Sequence, residues 1–496
     1  MATPRKILIA SSNPWSFSVA VEREIALLEG SAAQVDVLNL FRLTTAVSPH
    51  LRRRDRLLAA VDRTIERFVV PAANGRDITA DVRISERAIP PPDLAASDLR
   101  GYRFGGASVG LAVLSSVTSL TTIQEPESLD EYGDAFLPAW RSAHRAQQVG
   151  EQVAQLGYDA VYTFNGRHCY SRPFIDLVEQ ACPVVRYEQG ATGTSYVVSA
   201  TAIHHPVSIA RLINEHVFDP PAGEGFFLDR INRKPGDAVN YFIGEQVAGF
   251  LPQALKDGGV VSFFTSSSDE MFAITDDFGF GSFPTQFSAA MAMAAACAER
   301  GLQLVVRFHP HMRFKHPSWR REWDFDALRA AGALMIDAED PCDSYALARS
   351  SRCVFTCGST IGFECSYLGI PNADLGLWVG GLLGAMPAIT DEAALIAFID
   401  EPRLLPSAKL QALRYGSYAR RAGAQLPELE PGSHPYLSRV AGQVVSPTRF
   451  AFQRARQLLP GKRLGRTPSG MVAGKVLIDP DLDLRLDKAK LRHSRT

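Results

Sequence analysis

Cys353-Val-Phe-Thr-Cys357-Gly358-Ser359-Thr360-Ile361-Gly-Phe-Glu364-Cys-Ser-Tyr-Leu368-Gly369-Ile370-Pro371 is the stretch on which the reading of this chain turns. Cys353 to Thr356 is a short apolar run of strand length. Ile361 to Leu368 reads as a helix, which Gly369-Ile370-Pro371 ends. Between them, Cys357-Gly358-Ser359-Thr360 is a small polar loop whose glycine lets the backbone turn tightly. A buried strand, a tight loop and a helix make the repeating unit of a parallel sheet, since parallel strands need a long crossover that a helix supplies.

The same unit recurs outward from there. Val260 to Phe264 is a buried strand followed by the polar loop Thr265 to Glu270 and an Ala-rich helix, Gln286 to Arg300. Leu302 to Phe308 is a strand that ends in His309-Pro310-His311, Ala333 to Ile336 another, and Ser344 to Arg349 a short helix. Ile389-Thr390-Asp391-Glu392 caps a helix that runs to about Ile399. Nearer the start, Lys6 to Ala10 and Val35 to Leu40 are strands around a helix from Phe17 to Leu28, and Arg52 to Val69 is a charged helix. Leu111 to Thr122 fits a strand and a helix alike. Ala139 to Leu156 is a helix, Ala160 to Phe164 a strand ending at Asn165-Gly166-Arg167, Arg172 to Gln180 a helix, and Val184 to Tyr187 a strand ending at Glu188-Gln189-Gly190.

Two such runs imply two doubly wound α/β domains, 1–235 and 258–400. Residues 236–257 form a linker containing a helix from Asn240 to Leu255, residues 401–440 are helices packing back across the domains, and 441–496 is a basic tail. In open parallel sheets the ligand lies beyond the carboxyl ends of the strands, so the expected site is a cleft between facing domains.

Composition limits the partners. The 496 residues are 46% apolar and 21% charged, ordinary for a globular chain, with 52 basic and 53 acidic side chains. That balance excludes a protein that coats nucleic acid over its whole surface. From Ala441 onward, 12 Lys/Arg face 4 Asp/Glu, a local +8 that leaves −9 on residues 1–440. Within the tail, Arg449 to Leu459 with Lys462, Arg463 and Arg466 is short, basic and partly amphipathic; it reads as a membrane-surface contact or as a segment packed on the first domain. The apolar run at the start is too short for a secretory signal, and Leu375 to Ile389, the longest uncharged apolar stretch, is too short and Gly-rich to span a bilayer. Seven cysteines form no CxxC pair and read as buried free thiols in a reducing cytoplasm. Adjacent His204 and His205 seldom ligate one ion together, so no metal and no cofactor is expected.

Chemistry should sit where polar residues meet strand ends. In the second run these are Thr265, Ser266 and Ser267, then Arg307, His309 and Pro310, then Gly358, Ser359 and Thr360. Ser359 and Thr360 precede a helix, whose free N–H groups and dipole favour an anion, and Arg307 and His309 add positive charge or donors. The set fits a nucleotide's phosphates, although each piece also has a plain reading as a helix cap, strand end or turn. No GxxxxGK[ST] and no GxGxxG is present. Glu364 reads equally as a ribose acceptor and as a first-turn acid.

Leu304-Val-Val-Arg-Phe-His-Pro310, Ser344-Tyr-Ala-Leu347 and Cys357-Gly-Ser-Thr-Ile-Gly-Phe-Glu364 with Gly369-Ile-Pro371 resemble the capsule-polysaccharide-biosynthesis glycosyltransferases of GT-B fold, relatives of bacterial Kdo transferases and polysialyltransferases. The resemblance covers about residues 258–375, with a smaller match at 160–195. It implies two Rossmann-like domains across a cleft, metal-independent transfer from a nucleotide-sugar donor, and an acceptor hydroxyl on a surface glycan or lipid-linked glycan. It places His309, Pro310, Ser359 and Thr360 on the donor, while the thiols above read as cytoplasmic and the basic tail leaves a peripheral place at the inner face of the cytoplasmic membrane as one of its two readings. Arg186-Tyr-Glu-Gln-Gly190 resembles the family's acidic motif, with Glu188 as the base and Gln189 standing where a second acid is common. Read from the residues alone, Glu188 suits a base that takes the acceptor's proton, or a strand-end acid bound to Arg186 or Arg167. Asn165, Arg167, His168 and Gly190 lie beside it as candidate acceptor contacts. Two rival functions fit the same loops: a polyol-phosphate transferase or nucleotide-sugar epimerase, and a non-catalytic protein that binds glycan or a partner.

Overall fold

Ile7, Leu8, Ile9 and Ala10 are four consecutive apolar side chains, all fully buried. A strand covered on both faces needs such a continuous run, whereas a half-exposed strand would alternate. This strand opens the first of two compact units in the computed structural model, which describes residues 5–12, 16–44, 64–85, 89–124, 126–234, 246–255, 259–267, 272–274, 280–314, 317–430 and 438–444. The described residues of Met1–Ile203 and Gly423–Thr496 form one unit, and those of His204–Ala422 the other.

In the first unit, Arg5–Ala10 (β1) leads through Ser16–Gly30 (α1) to Ala33–Leu38 (β2) and Leu40–Thr44 (α2). Val109–Thr121 (α3) and Phe136–Val153 (α4) precede Ala160–Phe164 (β3), Arg172–Val178 (α5), Val184–Gln189 (β4) and Ser195–Ser199 (β5). The ambiguous segment near residue 111 is therefore a helix, most of whose side chains are buried. β2, β1, β3 and β4 are parallel neighbours in that order, and β5 pairs antiparallel with β4. The chain leaves β1 toward β2 and later returns to the other side of β1. That reversal makes the β1/β3 boundary a topological switch point.

The second unit begins with Pro206–Glu215 (α6) and Pro220–Ile231 (α7), and its sheet with Val260–Phe264 (β6). Gln286–Glu299 (α8), Gln303–Arg307 (β7), Phe325–Ala330 (α9), Leu334–Ile336 (β8), Ser344–Ser350 (α10), Ser351–Thr356 (β9) and Thr360–Leu368 (α11) follow. Asn372–Leu375 (β10), Val379–Leu383 (α12), Ala388–Ile389 (β11), Glu392–Asp400 (α13) and Ala408–Arg421 (α14) complete it. The strands lie in the order β8-β7-β6-β9-β10-β11, all parallel, which is the doubly wound dinucleotide-fold order with its switch point between β6 and β9. Val261 and Phe263 pack into one core while Val260 and Phe264 pack into another on the opposite face. Asp391 caps α13 by accepting from the Ala394 N–H at 2.8 Å, as the sequence predicts.

Past α14, Ala424–Gln425 (β12) pairs antiparallel with β5 in the first unit's sheet, and Leu429–Glu430 (β13), Arg439–Val440 (β14) and Gln443–Val444 (β15) form a small antiparallel sheet. Arg23 of α1 meets Glu428 just before β13 at 2.5 Å and ties that sheet to the unit.

Both Rossmann-like units are present, and some details differ from expectation. The units divide at 203/204 rather than at 235, because α6 and α7 belong to the second unit, where α7 packs on α14. That packing is close: a Cβ on Gly223 would lie 2.3 Å from the Leu413 carbonyl oxygen, and one on Gly416 would lie 2.7 Å from that of Gly223. Residues 246–255 do not continue a helix. Gly249 takes φ +71° and Pro252 withholds a donor and disfavours helix before it, so only a short turn, Gln253–Leu255, forms. The segment instead docks on residues 341–344, the Gly249 N–H donating to Asp343 at 2.7 Å. Of the helix expected at Arg52 to Val69, residues 64–68 are helical; 52–63, like Asn240 to 245 and the basic tail from 445, lie outside the described residues.

Candidate functional site

The loops after β6 and β9 flank the second unit's switch point. Gly358 adopts φ +65°, and a Cβ there would lie 2.5 Å from the Trp378 ring, so only glycine fits. The turn delivers Ser359 to the N-cap of α11. The Ser359 side chain caps nothing, and the N–H groups of Thr360 and Ile361 have no partner among the described residues. Unpaired donors at a helix N-terminus beside a left-handed glycine make an anion cradle. Ser359 and Thr360 are half-buried, open enough to meet a ligand.

The neighbouring loops brace this cradle. Ser266 Oγ donates to the Cys357 carbonyl at 2.6 Å, bridging the two sides of the switch point. Gln286, at the start of α8, accepts from the Ser266 N–H at 2.9 Å and donates back to its carbonyl at 3.2 Å. Thr265 Oγ1 accepts from the His309 N–H at 3.0 Å, so β6 fixes the backbone of the loop that carries His309 and Pro310, both half-buried. Ser267 is buried beside them.

Two predicted donor contacts are engaged elsewhere. Arg307 is 1% exposed, and its guanidinium donates to the carbonyls of Asp337 and Asp340, holding the loop after β8. Burial pushes its pKa down. Glu364 is paired with Arg230 of α7 in a buried ion pair, its carboxylate pointing into the packing between helices. It stabilises the α7–α11 contact and is no ribose acceptor here.

Asp374 on β10 was not anticipated. It accepts from Thr356 Oγ1 and, at 3.1 Å, from the Gly358 N–H. Burial pushes its carboxyl up to about 6, while those donors act in the opposite sense. A buried acid in the apolar run Asn372-Ala-Asp-Leu375 was the available signal.

The first unit has its own switch-point cluster. β3 pairs with β4 as far as Phe164 opposite Tyr187, so Glu188 is the first β4 residue beyond that pairing. Asn165, the next residue after β3, adopts φ +50° and donates from Nδ2 to Glu188 Oε2 at 2.6 Å. Asn tolerates this left-handed conformation better than most side chains. Glu188 Oε1 accepts from the Gln189 N–H at 3.0 Å. Arg186 is not its partner; it pairs with Glu179 at 2.8 Å and donates to the Ala200 carbonyl at 2.9 Å. Arg167 Nε donates to His168 Nε2 at 3.3 Å, and His168 is buried against Tyr170. Gly190 opens the β4–β5 hairpin, its N–H donating to the Ser195 carbonyl at 2.8 Å. Ser12 and Thr163 hydroxyls meet at 3.3 Å across the switch point, which in the other unit the Ser266 hydroxyl bridges to the Cys357 carbonyl. His205, one of the adjacent histidines, caps α6 by accepting from the Val207 N–H at 3.1 Å.

No protein-family model and no curated protein matches the chain. Among solved structures, it is similar to a beta Kdo 2,4 transferase, KpsC, of Thermosulfurimonas dismutans, with 14% identity over 53% of this chain and 80% of that one at a TM-score of 0.34. It is also similar to the UDP-GlcNAc 2-epimerase of Methanocaldococcus jannaschii, with 10% identity, 83% and 98% covered and a TM-score of 0.28. A third likeness is to the UDP-GlcNAc 2-epimerase of Neisseria meningitidis, with 10% identity, 91% and 100% covered and a TM-score of 0.27. Likenesses this slight fix no family, and the two switch-point clusters rest on the residues described above.

Proposed function

We propose that the protein is a glycosyltransferase of GT-B type that moves a sugar from a nucleotide-sugar donor to a hydroxyl of a growing surface polysaccharide or glycolipid. The observation that carries this reading is the anion cradle at the head of α11, set at the switch point of a sheet in dinucleotide-fold order. The Thr360 and Ile361 N–H groups and the Ser359 hydroxyl meet the donor's phosphate, with His309 and Pro310 on the adjoining loop. Ser267 lines the loop, whereas Thr265 and Ser266 shape it.

In the first unit, Glu188 takes the proton of the acceptor hydroxyl while the anomeric carbon gains oxocarbenium character. Asn165 orients its carboxylate, and Arg167 contacts the acceptor. Phosphate charge is met by backbone donors and His309.

Calorimetry with CMP, UDP, GDP and CDP tests the donor half. One of them binds, and His309→Ala or Ser359→Ala weakens it by about 1.5–3 kcal/mol, the range for a hydrogen bond to a charged group. Failure of all four to bind, or unchanged affinity in both variants, refutes the phosphate site. Nucleotide release that depends on added acceptor separates transfer from epimerisation, which needs none.

A further inference from the structure

Asp374 is 1% exposed within a four-residue strand, a place where a carboxyl group persists only if several donors meet it. Here the donors come from three segments: Thr356 at the end of β9, Gly358 in the loop before α11, and the Gly381 N–H in α12. The enclosure is tight. A Cβ on Gly380 would lie 2.6 Å from Asp374 Oδ2, and Trp378, whose indole N–H donates to the Leu375 carbonyl, packs against Gly358.

We propose that Asp374 is the positioning residue of the anion cradle, fixing the Gly358–Ser359 turn from beneath so that the N–H groups at the head of α11 converge on a phosphate or pyrophosphate. It never touches the ligand; it acts through Gly358. This role rests on the donor-site reading above. The groups facing Asp374 are Thr356 from β9, Cys357 and Gly358 from the following loop, and Gly380 and Gly381 from α12. Of these only the Cys357 thiol titrates, and burial holds it well above its ordinary range. Protonating Asp374, whose carboxyl sits near 6, converts one oxygen from acceptor to donor and sets two donors against each other. Asp374→Asn imposes the same conflict at every pH.

The test is the affinity of the nucleotide that the wild type binds, measured for wild type and Asp374→Asn across about pH 5–8. The variant binds about tenfold more weakly at the alkaline end, and the ratio of affinities shrinks toward one at the acid end. Taking the ratio cancels the titration of His309 and of the phosphate, which both proteins share. In ligand-free protein at the alkaline end, the Gly358 amide exchanges hydrogen faster in the variant. Equal affinity at the alkaline end, or unchanged exchange at Gly358, overturns the role. Should Asp374→Asn not fold, Thr356→Val must weaken binding and Thr356→Ser restore it, or the role fails. If the wild type binds none of the nucleotides, the donor reading falls, and exchange at Gly358 still decides whether Asp374 anchors the turn.

Discussion

Glu188 shows how much one hydrogen bond adds to a sequence reading. The residue type and its place after an apolar strand suggested a base or an ion-paired strand end. Arg186 is occupied by Glu179, and the amide of Asn165 donates to the carboxylate. That donor fixes where the carboxylate points, as a base that must meet the acceptor's proton requires. Glu188→Gln should therefore lower turnover by at least 10²-fold, the low end of general-base contributions, while donor affinity stays as in the wild type. Wild-type turnover in that variant would remove Glu188 from the chemistry. By the same logic Arg307 and Glu364 were legible as charged residues at promising positions, but not as buried ones. Their partners lie 30–33 and 134 residues away. No local pattern encodes a partner at that distance.

At the scale of elements, α1 carries an unusual group. Glu22 is fully buried on the sheet-facing side and accepts from the Tyr187 hydroxyl at 2.6 Å. Burial is the main cause that pushes its carboxyl from 4.5 up to about 8, with hydrogen bonds from Tyr187 and Ser11 opposing it. The folded unit thus holds Glu22 neutral at pH 7, while the unfolded chain ionises it. The stabilising contribution is complete below the unfolded value of 4.5 and is lost as pH rises through about 8. The loss accrues at no more than about 1.4 kcal/mol per pH unit for the one proton involved. Glu22→Gln, permanently neutral, should match the wild type near pH 5 and exceed it at pH 8 in urea midpoints that follow the first unit. Parallel pH profiles would contradict this. The helices and strands themselves were mostly legible, because period and caps are local properties. β5 and β12 were not, since short antiparallel strands carry little pattern of their own and depend on the partner that β4 and then β5 offer.

For the whole molecule, the chain is two α/β units with the second inserted before the last strands of the first. No described helix is long and apolar enough to cross a membrane. The +8 of residues 441–496 is the charge asymmetry most able to hold a protein at an anionic surface. We predict that the full chain co-sediments with vesicles containing phosphatidylglycerol, not with pure phosphatidylcholine, and is released by about 0.5 M salt, where screening shortens the reach of charge to a few Å. Equal sedimentation with both lipids, or none, would assign the tail no membrane role.

The sequence by itself determined the two runs of strand, loop and helix, and it singled out the polar residues at their carboxyl ends. It could do so because burial on both faces of a parallel strand and the caps of a helix leave local signatures. Only the tertiary structure decided which of those polar groups remain available. Thr265, Ser266, Arg307 and Glu364 are consumed by internal hydrogen bonds, whereas the head of α11 keeps unpaired donors. It also decided that Asp374 braces that helix and that Asn165 orients Glu188. A hydrogen bond needs two groups within about 3 Å, and which groups come that close is set by strand order and register rather than by neighbours along the chain.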